Sequence, residues 1–155
     1  MKIPKYTGVI TVVIGGVFFL TQAHAETLNA NLKVFKIEAE NKKKELTVVD
    51  EVQPNTLLEY QVIYSNVSND SLKNLKLNLP LPAYVTYTGI STPNNQVYAS
   101  LDGINFSKAP LKRVENGKTV KVPYSEYRVL QWNVSELKAK QSTTISAQTR
   151  VNNSN

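Results

Sequence analysis

The chain has 155 residues, with 18 Lys and Arg against 12 Asp and Glu for a formal net charge of +6, one histidine and no cysteine. The missing cysteines exclude a disulfide-held fold, a lipid-modified cysteine and thiol chemistry, so packing and hydrogen bonds must do all the holding. The one histidine, His24, falls in a segment read below as removed, which leaves the remainder without a side chain whose unperturbed pKa lies near neutrality.

The N terminus has three parts: "MKIPKY" with two lysines, the apolar run "TGVITVVIGGVFFL" of fourteen residues, and "TQAHA" with small residues at Ala23 and Ala25. This is the layout of a secretory signal peptide with cleavage after Ala25, and the run is shorter than the ~20 residues a membrane-crossing helix needs. Residues 1–25 are therefore expected to be a signal peptide and residues 26–155 a single exported domain, secreted or periplasmic, with no integral membrane anchor. Removing Lys2 and Lys5 lowers the net charge to 16 − 12 = +4. So mild an excess suits contact with anionic lipid head groups or cell-wall carboxylates, and is read here chiefly as serving solubility.

Beyond Glu26 the apolar residues recur at every second position in short segments, which is the strand signature. Strands are expected over 31–37, 46–52, 57–64 ("LLEYQVIY", with Leu58, Tyr60, Val62 and Tyr64 on one face) and 72–80 ("LKNLKLNLP", aligning Lys73, Leu75, Leu77 and Leu79). Further strands are expected over 84–89, 96–101, 118–122, 127–134 and 143–151. The segment "KIEAENKKKEL" reads as a strand end followed by a charged turn, with Lys42, Lys43 and Lys44 solvated and no nucleic-acid patch. Asp102-Gly103 and Asn116-Gly117 are two-residue hairpin signals. Pro80 and Pro82 end a strand and send the chain to another sheet. About nine short strands so punctuated give an all-β, immunoglobulin-like Greek-key sandwich.

The stretch "VQPNTLLEYQVIYSNVSNDSLKNLKLNLPLPAYVTYTG", followed by "SLDGINFSKAPL" and "YRVLQWNVSELKAKQSTTISAQTRV", resembles the bacterial conserved-repeat domain of unknown function 11 over about residues 50–151. The shared order is a Pro turn, a strand with a central Tyr, an Asn-containing turn, a strand ending in Leu-Pro, a Tyr-bearing strand, an Asp-Gly hairpin, a Trp-bearing strand and a closing strand ending in Arg-Val. Asn55 stands where that family usually has Gly, and Lys140-Gln141 where it has a small residue and Gly. The resemblance implies an immunoglobulin-like fold in a bacterial exported or surface protein, and supplies no catalytic residues.

The residues themselves give little chemistry. Trp132, flanked on its face by Leu130 and Val134, reads as core. Tyr84, Tyr98, Tyr124 and Tyr127 fall near strand ends and form the candidate interaction surface, for a partner or an extended glycan. Asp50, Glu51, Asp102, Glu115 and Glu126 make no calcium-loop pattern and no paired-carboxylate motif, so no metal, cofactor or catalytic residue is expected. The Asn-x-Ser triplets at Asn66, Asn69, Asn133 and Asn152 read as turn composition. The expected function is that of a non-enzymatic structural or interaction domain of the bacterial cell envelope, with a protein or envelope polysaccharide as partner. A carbohydrate-binding module using the strand-end tyrosines is the alternative, and a carboxylate-based hydrolase ranks behind it. Strand addition at an open edge, strand 31–37 or strand 143–151, is the expected mode of contact.

Overall fold

The computed structural model describes residues 27–153 and, ahead of them, the two residues of β1 (Ile10–Thr11). The chain then runs through β2 (Leu28–Ile37), β3 (Lys43–Glu45), β4 (Glu51–Val52), β5 (Leu57–Asn66), β6 (Leu72–Pro80) and β7 (Val85–Thr92). It continues through β8 (Tyr98–Ser100), β9 (Ser107–Lys108), β10 (Lys112–Glu115), β11 (Lys118–Lys121), β12 (Val129–Leu137) and β13 (Ser142–Val151). The expected cleavage point after Ala25 lies outside the described residues.

Two antiparallel sheets carry the fold in a sandwich-like arrangement, one of five strands in the order β3-β2-β5-β13-β7 and one of four in the order β6-β12-β8-β9. Alternation in β5 decides what lies between them: Leu58, Tyr60, Val62 and Tyr64 are at most 2% exposed. The other sheet contributes Leu75, Leu77 and Leu79 from β6 and Leu130 and Trp132 from β12 to the same apolar cluster. Each fully buried Leu or Val contributes about 1.5–3 kcal/mol, so this cluster, and no local propensity, holds the layers together. Trp132 fills the core as its flanking residues imply, and its indole Nε1–H donates to the Pro93 carbonyl at 2.9 Å.

Tyr64 also bridges the layers with hydrogen bonds. Its hydroxyl donates to the Asn78 carbonyl at 2.7 Å and accepts the Asn78 N–H at 3.1 Å, fastening β5 to the backbone of β6. Asn66, at the end of β5, closes the following turn: its side-chain amide donates to the carbonyls of Asp70, Leu137 and Lys138, and its Oδ1 accepts from Ser68. The "NVSND" stretch is thus a built turn that ties the ends of β5 and β12 together.

Several sequence expectations are corrected by the structure. Residues 46–52 form no continuous strand: Thr47 donates its N–H and hydroxyl to the Asp50 carboxylate, at 2.6 and 2.9 Å, and only Glu51–Val52 is extended. The apolar Val48 and Val49 are left on the tip of that turn, exposed. Lys73 does not share the face of Leu75, because Asn74 adopts a φ of 54° that flips the alternation and buries Leu72 instead. Asp102-Gly103 makes no two-residue hairpin: β8 and β9 do pair, through a longer loop in which the Asp102 carboxylate accepts from Ile104 N, Asn105 N and Asn105 Nδ2. Lys43 and Lys44 are exposed as expected but lie in β3 paired with β2, not in a turn, and Lys43 reaches the buried Glu59 carboxylate at 2.9 Å. Asn116-Gly117, by contrast, does close the β10–β11 hairpin, with φ of 50° and 76°.

Candidate interaction surfaces

The four strand-end tyrosines do not assemble on one face. Tyr127 is buried, at 1% exposure, and its hydroxyl accepts the Leu111 N–H at 2.7 Å. Tyr84 is half-buried with its hydroxyl 3.3 Å from that of Tyr60, and Tyr98 is half-buried where β8 opens. Tyr124 is exposed, on the 3-10 turn Tyr124–Glu126, and stacks edge-on against Tyr87 and Tyr127 with centroids 5.1 and 5.2 Å away. Gly89, at φ 88°, makes room for it, since a β-carbon there would lie 3.0 Å from the Tyr124 ring. The aromatic groups are thus a packing cluster with one exposed member, and not a platform.

The ionisable groups are spent on building turns. Hydrogen bonds from the Asn105 and Ile104 amides, then from the Asn105 and Ser100 side chains, hold the Asp102 carboxyl well below the usual carboxylate range. Those from Thr47 lower that of Asp50. Glu115 and Glu126 both engage Arg113, whose guanidinium pKa they raise further. Burial pushes the Tyr60 hydroxyl up, as does its bond to Tyr84, and burial pushes that of Tyr64 up to about 12. Among the described residues no group of three or more His, Cys, Asp or Glu side chains could hold a metal ion, and no helix is long and apolar enough to cross a membrane. One buried side-chain oxygen among them, Thr149 Oγ1, lacks a hydrogen-bond partner.

The sheet margins differ from the sequence expectation. β13 is interior, paired with β5 on one side and β7 on the other, so it offers no edge. β2 is paired with β5 throughout but meets β3 only at Phe35, Lys36 and Ile37, so over 28–34 no strand among the described residues lies on its outer side. The pleat tells which groups face out. Asn66 N–H donates toward β13, to the Gln141 carbonyl, so the even-numbered backbone groups of β5 point away from β2. Their partners on β2, Ala30 and Leu32, accordingly direct N–H and C=O outward, as does Val34, whose carbonyl accepts the Leu46 N–H at 2.8 Å.

One margin of the other sheet, β6, is blunted. β6 pairs on one side with β12, but at Asn78 its other side is capped by the Tyr64 hydroxyl. It also carries Lys73 and Lys76, is kinked at Asn74 and ends at Pro80, all features that discourage strand addition. Comparison of the chain with protein-family models, with curated proteins and with solved structures finds no match, so the resemblance of residues 50–151 rests on their own pattern.

Proposed function

We propose that the chain is an exported, non-enzymatic, immunoglobulin-like Greek-key domain of the bacterial cell envelope that presents a rigid surface and one open sheet edge to a protein or an envelope polysaccharide. The observation that carries this reading is the division of polar labour just described. The carboxylates with shifted acidity serve as turn keystones, whereas the outward backbone groups of Ala30 and Leu32 stand along a regular margin that no strand among the described residues covers. Such an edge accepts a partner strand through main-chain hydrogen bonds, with alternate side chains supplying selectivity.

Asn55, which stands where the pattern of the bacterial conserved-repeat domain of unknown function 11 usually has Gly, adopts φ 66°, a conformation glycine takes without cost and Asn tolerates. The export element rests on the N-terminal charge, apolar run and Ala23-x-Ala25 site. Fractionation of a bacterium expressing the full chain with a C-terminal tag tests it: the tagged product should be outside the cytoplasm and begin at Glu26. Recovery of product that retains residues 1–25 in the cytoplasm contradicts the reading.

A further inference from the structure

The +4 excess predicted for the processed chain is not spread over its surface. Residues 107–123 hold five cations, Lys108, Lys112, Arg113, Lys118 and Lys121, against the single carboxylate of Glu115. That is a net +4, equal to the 16 − 12 of residues 26–155, so everything outside this hairpin sums to zero. Arg113 is neutralised by Glu115 and Glu126. The four lysines have no carboxylate within ion-pair distance among the described residues.

The register arranges these charges in an unfavourable way for the isolated fold. Lys112 lies directly opposite Lys121, and Val114 opposite Thr119, so all four share one face of the hairpin. Like charges across a ladder are destabilising, which makes the pair costly unless an anion meets it. The opposite face holds Arg113, Glu115 and the partly buried Val120. The hairpin base is fixed: Leu111 and Val122 are buried and hydrogen-bonded to each other, and Leu111 N–H also reaches Tyr127. Between the hairpin and the loop 101–106 runs an open groove of about 620 Å³, with Lys108 and Lys112 among its walls. Val114, next in sequence to the groove-lining Arg113, is 72% exposed, and Ile104, next to the groove-lining Asn105, is 80% exposed.

We infer that the Lys112–Val114–Thr119–Lys121 face, together with Lys108 and Ile104, is a docking surface for an anionic phospholipid bilayer. Lysines meet the head-group phosphates while Val114 and Ile104 enter the interfacial layer. A nucleic-acid strand fits less well, because no aromatic side chain is interleaved with these lysines for bases to stack on. The inference deepens the envelope reading by naming what would hold the domain in place while its β2 edge stays free.

The test is co-sedimentation of the processed chain, recovered as the exported product that begins at Glu26, with vesicles of phosphatidylcholine alone and of phosphatidylcholine mixed with phosphatidylglycerol, at low and high salt. The expected result is salt-sensitive binding that requires phosphatidylglycerol. Each lysine at an anionic surface is worth about fivefold in partitioning, so K112E/K121E should weaken binding by about 25-fold or more. The charge-matched K42E/K44E, far along the chain in β3 and the turn before it, should cost less than about threefold. Should K112E/K121E fail to melt like the parent, K112Q/K121Q takes its place, with a loss of about 25-fold expected. Equal losses in the two charge-reversed variants overturn the docking face in favour of net charge alone. Equal binding to neutral vesicles, or binding to duplex DNA with none to vesicles, overturns the bilayer as its occupant. Failure here leaves the exported-sandwich reading standing, since that is decided by fractionation and does not involve vesicles.

Discussion

Tyr64→Phe should separate hydrogen bonding from packing in the link between the two sheets. The ring is 1% exposed and its apolar surroundings are indifferent to the loss of one oxygen, so no cavity term arises. What is lost is the pair of bonds to Asn78 N and O, at 3.1 and 2.7 Å, which leaves two backbone groups without a protein partner. Fully buried, each would cost about 1–3 kcal/mol, and water at the margin of β6 can recover part of that. The net expectation is about 2 kcal/mol, or a Tm lower by roughly 8 °C for a domain of this size. Tyr60→Phe is the control, because the Tyr60 hydroxyl makes one long contact of 3.3 Å to Tyr84 and should cost under about 1 kcal/mol. Thermal melts of parent and both variants by circular dichroism read the difference. Equal, small effects of the two substitutions would show that the Tyr64 bridge does not hold the sheets together.

Three further outcomes follow from the same structure. Trp132→Ala, which empties a 2%-exposed site and orphans the Pro93 carbonyl, should destabilise by about 3–5 kcal/mol in urea titration, and a parent-like midpoint would place the indole outside the core. Alkaline titration should unfold the chain cooperatively: the folded Tyr64 hydroxyl ionises near 12 and the unfolded one near 10, so stability present below pH 10 is lost as pH rises between them, by about 2–3 kcal/mol from this group. Absorbance that reaches full ionisation of every tyrosine, the buried Tyr64 included, without loss of the circular-dichroism signal contradicts this. Asp102 has the opposite sign: its lowered pKa means that the loop gains stability above the ordinary carboxylate range and begins to lose it as pH falls below about 4. The amide resonances of Ile104 and Asn105 should move with that titration in the parent and lose it in Asp102→Asn.

Much of the fold could be read from the residues. The alternation in "LLEYQVIY" and "VLQWNV" identified the buried faces, because a period of two with β-branched and aromatic residues has one physical meaning. The failures have identifiable causes. "LTVVDEV" has strand propensity, but Thr47 and Asp50 offered the backbone a local alternative that won. Asp102 did the same to the expected tight hairpin. The flip at Asn74 is invisible to any periodicity, since one residue at positive φ reverses the face of all that precede it. Edge positions were misjudged for β13 because pairing order is a property of the whole topology, and chain ends need not be sheet ends. Of the candidate site, the tyrosines near strand ends were noticed for their chemistry, yet three of the four are at least half-buried. The lysine face was legible and missed: the Asn116-Gly117 turn fixes Glu115 opposite Lys118, and counting outward by three puts Lys112 opposite Lys121.

The central claim is that function lies in an exposed backbone edge and surface, not in an ionisable group. Affinity capture of envelope components by the tagged full chain tests it most directly when parent, Ala30→Pro and the single alanine variants of Asp50, Glu51, Asp102, Glu115 and Glu126 are compared. Ala30→Pro removes an outward N–H without removing a bond to β5, so it should abolish recovery of the component that the parent retains while the melting curve stays close to the parent's. The carboxylate variants should recover that component as the parent does. Loss of recovery in one carboxylate variant with an unchanged melting curve, and full recovery by Ala30→Pro, would contradict the account.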